Sequence, residues 1–282
     1  MAHMQPLIIN LAPTGMVPTR MQSCYVPLTP QEIGADVARC AALGVSMVHL
    51  HARAEDGTPT EALTVYERII DEVRTSNPEI VVIVSTSGRL INEAERRATA
   101  LYLEGRFKPD MASLTLGSMN FATSASVNDP KTITLLAKIM QERGIRPELE
   151  VFDTGMVNFA KILIDKGLIT PPFYFNILLG NPSTAQATLL HLATIINDLP
   201  PQSIWSLAGI GRFQTRANAL GVVLGNGVRV GLEDNLWLDE ERTQLATNAQ
   251  LVQRVINQAE ALNRAIATPQ TVRRMLSLDL PQ

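Results

Sequence analysis

Eight apolar runs of strand length recur along the chain. They are residues 7–13 (LIINLAP), 46–52 (SMVHLHA), 80–86 (IVVIVST), 111–117 (MASLTLG), 148–153 (ELEVFD), 173–180 (FYFNILLG), 203–210 (SIWSLAGI) and 228–234 (VRVGLED). Helical patterns lie between them. Residues 29–44 (TPQEIGADVARCAALG) open on Thr29 as an N-cap, with Pro30 at the first helical position and Glu32 completing a capping box. The same stretch ends on Gly44, a natural C-cap. Residues 130–144 and 154–167 repeat the rhythm, each closing on a basic residue and a glycine. Strand and helix alternating eight times predict an α/β fold, a (β/α)8 TIM barrel. A doubly wound open sheet is the structural alternative, but its G-x-G-x-x-G fingerprint is absent after the first strand, where the chain reads APTGMVPT. No linker interrupts residues 1–282, which read as one domain. Residues 240–282 form a C-terminal helical extension, with a long helix over 243–266 and a short one beginning at TPQTVRRML.

Composition narrows the function classes. With 46% hydrophobic and 18% charged residues among 282, the chain can bury a large core, and a formal net charge of −3 offers no basic footprint for nucleic acid. Two cysteines, Cys24 and Cys40, do not make a disulfide framework and suit a reducing cytosol. No apolar run reaches the ~18 residues of a membrane span, and no signal peptide is visible. The opening MAHM reads as an expression scar. A cytoplasmic protein is expected.

In a barrel, chemistry sits at the C-terminal strand ends. The second run ends on His49 and His51, two of only four histidines. Positions i and i+2 of a strand share a face, so both imidazoles aim at one spot. Once a barrel closes, strands 2 and 8 both neighbour strand 1, so Glu233 can join them. Two histidines and a glutamate are the ligand number and type of catalytic zinc, with one position open. The plain alternative is a pair of hydrogen-bonded core histidines. Arg229 is in phase with Glu233, and a buried arginine needs an anion, which Asp234 or Glu150 can supply; a structural ion pair satisfies the same pattern. The STSG stretch (85–88) offers hydroxyls and flexible backbone to a carboxylate, or is simply a polar loop. His191 reads as a core or surface histidine; Met16, Met21, Phe173, Tyr174 and Phe175 read as packing residues.

Taken together, VHLHARAEDGTPT, VSTSG, PELEVFDTGM, LAGIGRF and VRVGLEDN resemble the β-keto acid cleavage enzyme family, of the 3-keto-5-aminohexanoate cleavage type. The similarity runs from the first strand to ATPQTVRRML. It implies a zinc-dependent exchange in which a β-keto acid and acetyl-CoA, the co-substrate, give acetoacetate and a new acyl-CoA. By position it makes His49, His51 and Glu233 the ligands of Zn2+. Ser85 and Gly88 match residues that hold the keto acid, and Ser113 stands where the family type has threonine. Asp234 matches the general base, supported by Arg229, and Glu150 another acidic pocket residue. LLGNPST and AGIGR are placed to receive CoA, and a homotetramer is implied. One departure stands out. Members acting on an amino-bearing substrate carry a glutamate after the first strand, where this chain has Val17, so an uncharged side chain on the keto acid is expected. Another zinc-dependent barrel lyase or hydrolase would share the triad. A non-catalytic barrel binding an acyl-CoA or carboxylate is the third possibility.

Overall fold

A computed structural model describes residues 4–279; Met1–His3, within the stretch read as an expression scar, lie outside the described residues. The strands are β1 (Ile8–Leu11), β2 (Met47–Leu50), β3 (Val81–Val84), β4 (Met111–Thr115), β5 (Arg146–Val151), β6 (Phe173–Leu179), β7 (Ser203–Gly209) and β8 (Gly227–Val230). All pair in parallel and in sequence order, and β1 closes the ring against β8. Asn10 of β1 lies level with Met47 of β2 and Arg229 of β8, which brings the ends of β2 and β8 together as expected. A small hairpin, Met119–Asn120 with Ala125–Ser126, stands outside the ring after β4.

The helices are α1 (Pro30–Leu43), α2 (Leu63–Ser76), α3 (Ala94–Arg97), α4 (Pro130–Arg143), α5 (Thr154–Asp165), α6 (Leu189–Asp198), α7 (Gln214–Leu224), α8 (Asn248–Ala261) and α9 (Pro269–Leu276). Local chemistry sets their ends. Thr29 and Glu32 form the capping box of α1, and Gly44 takes φ 119° to close it. Asp129 caps α4 by accepting from the N–H groups of Lys131 and Thr132. Among the described residues, no helix is long and apolar enough to cross a membrane.

The C-terminal segment differs from the expected long helix over 243–266. Thr247 and Gln250 form a second capping box, so α8 begins at Asn248, and it ends at Ala261 before Asn263 turns to φ 51°. Packed between α7 and α1, α8 is the barrel's own eighth helix. The terminal helix α9 caps the barrel floor. Its Val272 and Leu276 join Ile8, Met47, Val81, Ile83, Met111 and Tyr174 in an apolar cluster inside the ring. Arg273 fastens it there, donating to Asp110 at 2.8 and 2.9 Å and to the Glu79 carbonyl at 2.8 Å. The larger core lies between strands and helices, where Ile9, Leu11, Val48, Leu50, Val82 and Val84 point outward.

Candidate active site

Above that apolar floor the barrel interior turns polar. The inward positions carry Asn10, His49, Glu148, Asn176 and Arg229, all buried. Glu148 of β5 organises the first of them. Its carboxylate sits 2.6 Å from His49 Nδ1 and accepts from Asn10 Nδ2 (2.7 Å) and Asn176 Nδ2 (3.2 Å). With Nδ1 engaged, His49 presents Nε2 to the cavity, the carboxylate–histidine arrangement typical of metal-ligating imidazoles. His51, two residues on and on the same face, brings its own Nε2 to 3.2 Å from that atom and 3.2 Å from Glu233 Oε1. One ligand atom from each of His49, His51 and Glu233 lies within 4.8 Å of the others. Glu233 Oε2 is buried without a hydrogen-bond partner. Burial lowers the His51 pKa, whereas Glu148 raises that of His49 against the opposing effect of burial. At 3.2 Å apart the two Nε2 atoms have room for one proton between them, the place a cation takes in such a triad.

Arg229 is the second hub. It comes from the middle of β8 and is only 2% exposed. Its fork meets Asp234 twice (Nε–Oδ2 2.8 Å, Nη2–Oδ1 3.1 Å), Glu233 at 2.6 Å and Glu150 at 3.2 Å. One guanidinium cannot fully neutralise three buried carboxylates. Glu233 is held well below the ordinary range, because Arg229 and the histidines outweigh burial. Burial pushes Asp234 up against the pull of Arg229, and ionised Glu233 adds to the rise. Glu150 is pushed up too, chiefly by burial; its second oxygen accepts from the Thr115 hydroxyl at 2.6 Å.

The loop after β1 closes over this cluster. Gly15, at φ +67°, approaches so near that an added Cβ would lie 2.6 Å from Glu233 Cγ. Arg53 holds the loop through the carbonyls of Gly15 (2.8 Å) and Pro18 (2.9 Å). Sequence reasoning passes over Arg53. The signal is there, because His49, His51 and Arg53 follow the same alternation.

A cavity of about 340 Å³ opens at the C-terminal mouth. His49, His51, Glu233, Asp234, Arg229 and Glu150 line it, as do Ser85 and Val17, the latter 44% exposed at the rim. Asn181 and Pro182 of LLGNPST and Ile210 and Gly211 of AGIGR also face it. Gly88 and Ser113 lie outside the lining. Gly88 is wedged where a Cβ would fall 2.3 Å from the Val127 carbonyl oxygen, and Ser113 Oγ accepts the Thr86 N–H at 3.1 Å. Phe173, Tyr174 and Phe175 are buried packing residues, whereas Met16 lines the cavity and Met21 is 99% exposed, a solvent residue and not a packing one. His191 is exposed in the first turn of α6. Sequence reasoning also misses Arg89, Arg242 and Trp237, which the loops after β3 and β8 deliver to the cavity wall.

A family model described as beta-keto acid cleavage enzyme matches residues 6–278. A 3-keto-5-aminohexanoate cleavage enzyme of Fusobacterium nucleatum subsp. nucleatum is 37% identical over 278 residues, covering 98% of this chain and 99% of its own. A 3-oxoadipate:acetyl-CoA acetyltransferase of Cupriavidus necator is 34% identical over 277 residues, covering 97% of this chain and 95% of its own. The solved apo structure of ObcA shares the fold, with a TM-score of 0.78 at 21% identity over 90% of this chain and 66% of that longer one. The match along nearly the whole length shows that the chain belongs to the β-keto acid cleavage enzyme family.

Proposed function

We propose that this chain is a zinc-dependent acyltransferase in which a β-keto acid and acetyl-CoA give acetoacetate and a new acyl-CoA. In that exchange the C2–C3 bond of the keto acid breaks, C2 joins the acetyl carbonyl carbon, and the CoA sulfur takes the former C3 acyl group. The observation that carries the reading is the juxtaposition at one cavity wall of a His2Glu triad and a carboxylate held in a guanidinium fork. The donor set is two nitrogens and one oxygen, with Glu233 Oε2 lacking a partner, which suits zinc better than the all-oxygen shells of magnesium. A zinc ion bound there supplies Lewis-acid polarisation of the keto oxygen, which acidifies the C2 protons.

The remaining work belongs to the chain. Asp234 takes the C2 proton; its burial-raised pKa makes it a stronger base than an exposed aspartate. Arg229 orients that carboxylate through two hydrogen bonds and balances its charge. Ser85 Oγ accepts the Ser87 N–H at 3.2 Å, leaving its own proton to donate to the substrate carboxylate. Gly88 and Ser113 contribute by shaping the loop that carries Ser85. At the outer rim, exposed Arg242 lines the cavity beside Gly211 and offers positive charge to the phosphates of CoA, with exposed Arg212 next along the chain. Val17 presents no carboxylate to a substrate ammonium, and both oxygens of Glu150 are already engaged. A cationic side chain on the keto acid is therefore disfavoured. Two free thiols, Cys24 and Cys40, support a cytoplasmic setting, and the family resemblance supports a homotetramer.

The test is a panel of β-keto acids incubated with acetyl-CoA, with acetoacetate and the new thioester followed by mass spectrometry. Acetoacetate should form only with acetyl-CoA present, in equal amount with the new acyl-CoA. Thioester hydrolysis alone, or keto acid cleavage without CoA, would contradict the reading.

A further inference from the structure

Of the cations in the cavity wall, Arg229 is saturated by carboxylates and Arg242 is exposed at the rim. Arg89 is different. It is half-buried in the lining, five residues beyond the end of β3 and four beyond Ser85. Its guanidinium carbon lies 4.0 Å from the centroid of the Phe121 ring, and its Nε donates to Ser124 Oγ at 3.2 Å. Both partners belong to the hairpin that stands over the mouth. Stacking and the Nε bond fix the plane of the fork. Among the described residues its two terminal nitrogens meet no acceptor, and no carboxylate pairs with it. A planar fork held in place with its outer N–H groups free matches a carboxylate bidentately.

We propose that Arg89 receives a second carboxylate at the far end of the substrate side chain, so that the preferred substrate is a β-keto dicarboxylic acid. This rests on the acyl-exchange reading above and names its substrate class. The C1 carboxylate of any β-keto acid lies two carbons from the ketone, beside the triad and within reach of Ser85. Arg89, four residues further along the same loop and anchored on the hairpin, is thereby assigned the portion of the substrate beyond the ketone. Val17 offers no carboxylate there and both oxygens of Glu150 are engaged, so the charge that acts on Arg89 within the cavity is that of Glu233, which Arg229 and His51 already hold. The neutral side chain expected from Val17 alone gives way here to an anionic one, because the sequence by itself does not reveal the setting of Arg89.

The experiment compares 3-oxohexanoate with 3-oxohexanedioate, which share six carbons and differ by one carboxylate. Each is assayed with acetyl-CoA on the wild-type enzyme, Arg89→Met and Arg89→Lys. The wild type should favour the dicarboxylate in kcat/KM by roughly tenfold or more. Arg89→Met should erase that preference while leaving the KM for acetyl-CoA and the use of 3-oxohexanoate within about threefold, and Arg89→Lys should retain part of it. Equal losses on both substrates would assign Arg89 to the C1 carboxylate or to holding the hairpin, and would overturn the proposal. A raised KM for acetyl-CoA alone would assign it to CoA and overturn the proposal equally, as would a wild type that favours the neutral acid. Binding of the same two acids without acetyl-CoA is read from the fluorescence of Trp237, which lines the cavity. If neither acid turns over, the acyl-exchange reading fails; a dicarboxylate preference in binding that Arg89→Met removes still supports the Arg89 site, and equal binding sinks it.

Discussion

The two ends of the barrel interior are built from opposite materials. At the floor, Ile8, Met47, Val81, Ile83 and Met111 pack against Val272 and Leu276 of α9, and the ion pair of Arg273 with Asp110 ties the cap to its seat. At the mouth, one guanidinium faces three carboxylates, two imidazoles face each other, and a carboxylate oxygen is left without a partner. The floor is what a chain does to be stable. The mouth works against stability, since buried charges cost more to desolvate than they return unless every one is matched. A fold tolerates such a cluster where the charge is used, which is the C-terminal face of a barrel.

Substitutions can sharpen this contrast. The largest effect is expected for Arg229→Met, which strands Glu150, Glu233 and Asp234 without their cation. It should destabilise the protein by about 3–5 kcal/mol and abolish turnover, as read by denaturant unfolding and by the acetoacetate assay. On the floor, Leu276→Ala opens a cavity against Ile8 and its neighbours and should cost about 2–4 kcal/mol while kcat/KM at the working temperature stays within about twofold. A large activity loss there would erase the division between the two ends. Asp234→Asn should do the reverse, lowering kcat by about 100-fold or more with little change in the unfolding midpoint; normal turnover would mean that another group removes the proton. The smallest effect concerns the rim. Val17→Glu should shift kcat/KM by about tenfold toward an amino-bearing keto acid over a neutral one, and an unchanged ratio would show that position 17 does not read the side chain.

The floor is the less legible end in the sequence, yet the fold as a whole is readable. Alternating apolar runs with capped helices leave few architectures, and Thr29, Glu32 and Gly44 perform in the structure the roles their positions announce. The start of α8 is equally announced by Thr247 and Gln250, but the apolar pattern of residues 243–266 draws attention past it. Period-two phase places His49 with His51, and barrel closure brings Glu233 to them. Glu148 opens the ELEVFD run, but its partner His49 lies 99 residues away and only the register between strands joins them. Arg89 is out of reach. Its environment is made by the hairpin 119–126, whose place over the mouth no local spacing encodes.

If the mouth is a metal-assisted proton-transfer site, metal content reads it out. Wild-type protein loaded with zinc and dialysed should retain about one ion per chain by plasma mass spectrometry, as a His2Glu site predicts. His51→Ala should lose most of that ion while keeping its circular-dichroism spectrum and unfolding midpoint, because the barrel's stability resides elsewhere. A His51→Ala protein that holds its zinc in full, or a wild type that retains none, would contradict the account.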